Sequence, residues 1–295
     1  MHSPSIAFSW FVAAALIALA RALAADAGVA VKRSTSERAR KHWEDSQNGD
    51  GGWSYSSQQK FQGSTGSMPA AGIASLLITE SHLRDPSQEE TPDGQPLCCQ
   101  TPAEDERLAR AVKWMADHFA VAENPGNPSG GILYYLYGIE RAGRLSAQRF
   151  FGDHDWYRRG AEFLLKAQNR GQLLGGWVGQ GHVEKDPVVG TSFALLFLSK
   201  GLSPVLIQKL MYGEPDGKNN VKNNNWNLHA GDVRRLTEHV SGLPKWPPLV
   251  TWQVLDLNKV VASNDPGELR QAPILYLSGK DAYQFTATEA ALLRL

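Results

Sequence analysis

Asp155-Trp-Tyr-Arg-Arg-Gly-Ala-Glu-Phe-Leu-Leu-Lys-Ala-Gln168-Asn169, then Gly175-Gly176-Trp177, then Asp186-Pro187-Val-Val-Gly-Thr-Ser-Phe-Ala-Leu-Leu-Phe-Leu-Ser-Lys200-Gly201, is the stretch on which the fold is decided. Its first part has the pattern of an amphipathic helix. Asp155 is a good N-cap, Phe163, Leu164 and Ala167 share an apolar stripe, and Arg158, Arg159, Glu162 and Lys166 take the wet side. The last part opens with an Asp cap and Pro at the first helical position and closes on Gly201. Between Val188 and Leu198 it carries no charge, so the pattern predicts a helix buried all round. A half-wet outer helix, a Gly-Gly-Trp turn and an enclosed inner helix form one hairpin. Such a hairpin cannot cover its own inner helix and needs copies of itself alongside.

The copies are present. Glu37 to Gln47 reads as a helix leading into Gln47-Asn48-Gly49-Asp50-Gly51-Gly52-Trp53, and Ser67 to Leu83 follows as a mostly apolar helix. Glu104 to Ala122 is a second amphipathic helix with Leu108, Val112, Met115 and Phe119 on one face, and Ser129-Gly130-Gly131 opens the inner helix Ile132 to Ala142. The Gln-Asn pair precedes Gly-Gly-Trp twice, and the Gly-Gly turn occurs three times. Repetition of this kind outweighs any single motif.

Outer helix, Gln-Asn, Gly-Gly-Trp and apolar inner helix together resemble the prenyltransferase and squalene-oxidase repeat, over roughly Glu37 to Gly201. The resemblance implies a mainly α fold, a partial α/α toroid of three helical hairpins. It also implies that Gln and Trp of the motif brace one helix end against the next, which suits a tight glycine reversal and an indole covering helix termini. In that family a central cavity is lined from inner-helix ends and their loops. On that basis His182, Glu184, Asp186, Trp177, Trp53 and Asp50 are the candidate ligand groove. The family's chemistry does not carry over. The chain has no Asp-x-Asp-Asp acid, no Cys-Gly-Glu-Gln motif and no late repeats to hold zinc. No cofactor and no metal are therefore expected.

The 295 residues suggest two domains, and 42% hydrophobic content is enough for real cores. Thirty basic against 30 acidic residues give no electrostatic case for nucleic acid. Residues 1–24 read as a signal peptide, with Ile6 to Ala20 apolar and Ala22-Leu23-Ala24 as the cleavage site. An uncleaved anchor is the rival reading, but the run falls short of the ~20 residues that span a bilayer. The protein is therefore expected to be exported, with no transmembrane span after cleavage. Cys98 and Cys99, adjacent in a Pro- and Gly-rich insertion, read as surface thiols; an oxidising compartment could link them to each other or to another chain. Phe150 to Trp156, with Asp153, His154 and Asp155, reads as a turn and cap rather than acid–base machinery.

The toroid domain is placed at 35–212, with Leu202 to Tyr212 as one more short helix. A polar linker at 213–227 holds five Asn between 219 and 225. From 228 to 295 the period switches. A helix at Gly231 to Val240, strands at Leu249 to Leu255 and Pro273 to Leu277, and a capping box at Thr286 to Glu289 suggest an incomplete α/β domain with a parallel sheet. Two strands and a short helix cannot bury both faces of such a sheet, so the chain reads as a fragment of a longer protein. The segment also resembles the start of an uncharacterised domain with a glutamine-amidotransferase-type, flavodoxin-like sheet, carried by Trp226-Asn-Leu-His229, Trp246 to Trp252 and Pro273 to Gly279. The Cys nucleophile of such enzymes is missing, and Ser278 is the alternative. The expected function is an exported, non-catalytic binding or scaffolding protein of the cell envelope, taking a peptide, glycan or lipid. The competing reading is an enzyme on isoprenoid or polysaccharide substrates.

Overall fold

The computed structural model describes residues 32–55, 63–83, 105–169, 175–181, 183–201, 204–217, 221–223, 225–229, 231–246 and 250–294. The segment read as a signal peptide, 1–24, and Cys98, Cys99 and His182 lie outside the described residues. Among the described residues the chain is mainly helical and divides into two compact units, meeting in sequence just after Gly201.

The first unit contains six helices in three successive pairs: α1 (Arg33–Ser46) with α2 (Ser67–Leu83), α3 (Glu106–Asp117) with α4 (Ile132–Leu145), and α5 (Trp156–Ala167) with α6 (Pro187–Gly201). Helices α2, α4 and α6 lie side by side as one layer. Against it, α1 and α3 pack on α2, and α5 packs on α4 and α6. The core lies between the layers and is rich in large aromatics: Trp43, Trp53, Trp114, Tyr135, Phe151, Trp156, Trp177 and Phe197. The expected Asp155 cap is in place, and Asp105 caps α3 in the same way. Asp105 accepts from the Arg107 and Leu108 amides, and Asp155 from the Arg158 amide. Phe150–Phe151 (β1) and His154–Asp155 (β2) form a minimal antiparallel hairpin ahead of α5, so His154 sits in a turn. Asp105 also pairs at 2.6 Å with Arg40, which ties the start of α3 to α1.

Three expectations for this unit change. Helix α3 ends at Asp117, not Ala122, because His118 leaves helical geometry and its amide closes back on Trp114 O. Of the α5 stripe, Leu164 is buried, Phe163 half-buried and Ala167 exposed, since the helix terminates there. More consequentially, α6 is not enclosed. Gly190, Ala194 and Phe197 face the core, while Val188 is 74% and Leu195 51% exposed. An uncharged run tolerates burial on every side but does not supply a neighbour; the open face has no described element on it.

The second unit centres on a three-stranded parallel sheet in the order β4 (Thr251–Asp256), β3 (Val205–Met211), β5 (Ile274–Tyr276). Helices α7 (Asp232–Ser241), α8 (Leu257–Ser263) and α9 (Ala287–Leu293) accompany it. Within the segment read as a short helix at 202–212, Val205–Met211 is instead the middle strand. Seven residues with five apolar do not distinguish strand from helix by period, and pairing partners decide. The boundary consequently precedes β3, and the segment read as a linker at 213–227 belongs to the second unit: Val221 and Trp226 are buried in its core. Strand β5, an outer strand, is shorter and less enclosed than expected, with Ile274 exposed in it and Leu277 exposed just beyond its end. The C-terminal capping box is present, with Thr286 and Glu289 each bonded to the other's amide.

Candidate functional site

The two Gly-Gly-Trp turns match bond for bond. Trp53 Nε1 donates to Trp43 O and Trp177 Nε1 to Leu164 O, each at 2.8 Å and each to the residue four before the Gln. Gln47 Nε2 donates to Gly51 O at 2.8 Å and Gln168 Nε2 to Gly175 O at 2.7 Å. The Asn48 amide reaches Gly52 O as the Asn169 amide reaches Gly176 O. The leading glycines take φ of +93° and +102°, where a side chain would be strained. Gln47 goes further. Its Nε2 also donates to Arg107 O, and its Oε1 accepts from Arg110, so the turn holds α1 against α3. Trp53 and Trp177 are both buried, and their polar atoms serve the fold.

Asp50 stands at the first turn. It accepts from the Gly52 amide, the Ser64 hydroxyl at 2.7 Å and the Trp114 indole at 3.1 Å. Burial alone would raise its pKa; the bonds from Ser64, Gly52 and Trp114 outweigh that and hold it below the usual 3.8. A depressed carboxyl contributes stability above pH 3.8 that disappears as pH falls through its folded value. Asp50→Asn should therefore lower the urea midpoint at pH 7 and show a smaller further drop between pH 5 and 3 than the wild type.

Asp186 accepts from the Val188 and Val189 amides and is the cap of α6. Glu184 has a more demanding role. It is 1% exposed, and its two oxygens accept from the amides of Ile132, Leu133 and Tyr134 at 2.8–3.0 Å, with Gly181 N at 3.3 Å. It thus caps α4 from fifty residues away. Gly179 and Gly181 allow the approach, since a Cβ on either would meet the Glu184 side chain or the Gly131 backbone. Asn124 performs the same service for α2, its Oδ1 accepting from Ser67 N at 3.0 Å. The sequence candidates do not converge on one groove. Asp50 and Trp53 belong to the first turn, and Trp177, Glu184 and Asp186 to the third.

What does converge is a set of side chains on the free face of the α2–α4–α6 layer. On α4, Tyr134, Tyr137 and Arg141 recur at i, i+3 and i+7, opposite the buried Tyr135, Leu136, Ile139 and Ala142. Phe193 of α6 packs against both tyrosines, at ring separations of 5.7 and 5.6 Å. Tyr55 approaches from the first turn and shares a 2.6 Å hydrogen bond with Ser67. The Arg141 guanidinium lies 5.8 Å from the Tyr137 ring centre and 3.5 Å from its hydroxyl, and it makes no ion pair among the described residues. By contrast, Arg144 pairs with Glu140 at 3.0 Å. Burial, with the neighbouring phenols of Tyr55 and Tyr137, pushes Tyr134 up to about 12, and burial likewise raises Tyr55. Both are neutral at physiological pH. The signal in the sequence was present but hidden, because tyrosines at helical spacing read as core.

A shallow open depression along α5, lined by Glu162, Leu165, Lys166 and Gln168, has no such convergence. In the second unit Ser278 donates to Trp226 O at 2.8 Å, and Lys209 is buried against Asp232 at 2.7 Å. No cluster of His, Cys, Asp and Glu suited to a metal occurs among the described residues. No family description, no characterised protein sequence and no solved structure matches the chain.

Proposed function

We propose that this protein is an exported, non-catalytic binding or scaffolding protein of the cell envelope, holding its ligand on the free face formed by Tyr134, Tyr137, Arg141 and Phe193. In this reading the three helix pairs are prenyltransferase/squalene-oxidase-type repeats of a partial α/α toroid, and the second unit is an α/β domain. One observation carries it. The face combines partly exposed aromatic rings with a guanidinium that has no ion pair among the described residues, while the described carboxylates Glu184 and Glu140 are committed, to backbone amides and to Arg144. Aromatic and arginine side chains supply most binding energy at recognition surfaces. A general acid–base pair would need carboxyls released from such work. No described helix is long and apolar enough to cross a membrane.

Calorimetric titration with three probes tests this: a soluble oligosaccharide, a polyprenyl alcohol in detergent micelles and an unstructured peptide. One should bind, and Tyr137→Ala should weaken it about tenfold, the effect of roughly 1.4 kcal/mol. Binding by none of them, equal binding by the variant, or turnover of any probe would remove the proposal.

A further inference from the structure

We infer that the ligand of this face is an acidic oligosaccharide, its sugar rings stacked on the Tyr137 and Phe193 rings and a carboxylate held by Arg141. The inference rests on the binding role proposed above and names its ligand class. The guanidinium is the starting point. A planar fork held beside an aromatic ring, without a carboxylate of its own, presents donors in the geometry that a planar carboxylate matches bidentately. The Glu184 charge is felt at Tyr55, where it adds to the effect of burial, but that carboxylate is committed among the described residues. Tyr134 keeps its proton until about pH 12, and the Glu184 carboxylate is buried beneath four amide donors.

The rest of the face selects the body to which the carboxylate is attached. Helices α4 and α6 spend their backbone groups on themselves, so an extended peptide would find no main-chain partner there. What they offer instead are ring planes, with the Tyr137 hydroxyl at the edge of one. A pyranose is amphipathic in the complementary way, with C–H faces for the rings and hydroxyl edges for the polar groups.

The test uses the whole chain and calorimetric titration with four probes: an oligomer of galacturonic acid, the neutral galactose oligomer, inorganic phosphate and an acidic peptide. The acidic oligomer should bind at least tenfold more tightly than the neutral one. Arg141→Ala should erase that preference, Arg141→Lys should restore only part of it, and Tyr137→Ala should weaken both oligomers. Unchanged thermal unfolding of the variants keeps the comparison valid. Equal affinity for the two oligomers, or an Arg141→Ala protein that still prefers the acidic one, overturns the carboxylate assignment and leaves the binding role standing. Preference for phosphate or for the peptide overturns the sugar assignment. Binding of no probe overturns both.

Discussion

Replacing Glu184 with alanine should cost the first unit about 3 kcal/mol, since three backbone amides lose their acceptor at once. The side chain is 1% exposed and holds three consecutive amides of the first turn of α4. Those amides have no intrahelical acceptor, and each left buried and unpaired costs roughly 1–3 kcal/mol, less whatever water recovers. The carboxylate also sits at the positive end of the α4 dipole, which adds to its worth. Glu184→Gln keeps the shape and one acceptor but turns an NH2 group toward donors, so about half the loss is expected. Urea unfolding followed by tryptophan emission reads both variants, with Trp177 close to the affected turn. A loss below ~1 kcal/mol for Glu184→Ala would mean that the amides find other acceptors and that this cap is dispensable. Because Glu184 acts beneath the face and not on it, Glu184→Gln should bind the acidic oligomer as the wild type does.

How much of this could be read beforehand follows from the range of the interactions. The individual helices, the Asp155 and Asp186 caps and the Thr286–Glu289 box were legible because each helical turn or cap closes within four residues. The repeated Gln-Asn and Gly-Gly-Trp segments were legible for the same reason, their bonds closing over about ten residues. Strand β3 was not, because its identity depends on Thr251–Asp256 and Ile274–Tyr276, more than forty residues onward. The open side of α6 was not legible either. An uncharged helix looks the same whether its last face meets a neighbour or water. The site divides in the same way. Glu184 could be singled out as a carboxylate beside a helix start, but the helix it caps lies fifty residues earlier. Tyr134, Tyr137 and Arg141 lay inside a segment read as an inner apolar helix, and only its packing shows which side remains free.

Removing Asp232 alone should destabilise the second unit by about 3–5 kcal/mol, and removing Lys209 with it should recover most of that. Lys209 is a rare case of a lysine within a buried middle strand, its side chain 1% exposed. Its ammonium donates to Asp232 Oδ1 at 2.7 Å and to His229 O at 2.9 Å, and lies 5.8 Å from the Trp226 ring centre. In Asp232→Ala the charge keeps its burial and loses its partner. Substituting both, as Lys209→Met with Asp232→Leu, replaces the pair with apolar groups of similar length, and buried pairs treated this way often lose little. The pH dependence has a definite sign. Burial lowers the Lys209 pKa below 10.5, while the bond and charge of Asp232 work to raise it. Between the folded value and 10.5 the unfolded chain binds more protons, so the Lys209 contribution to stability grows as pH rises through that window. Without Asp232 the folded value falls further and the window opens at lower pH. Asp232→Ala should therefore regain stability between pH 7 and 10 relative to the wild type, and the double variant should not. A single variant whose deficit is the same at both pH values would show that its loss comes from packing and not from an unpaired buried charge.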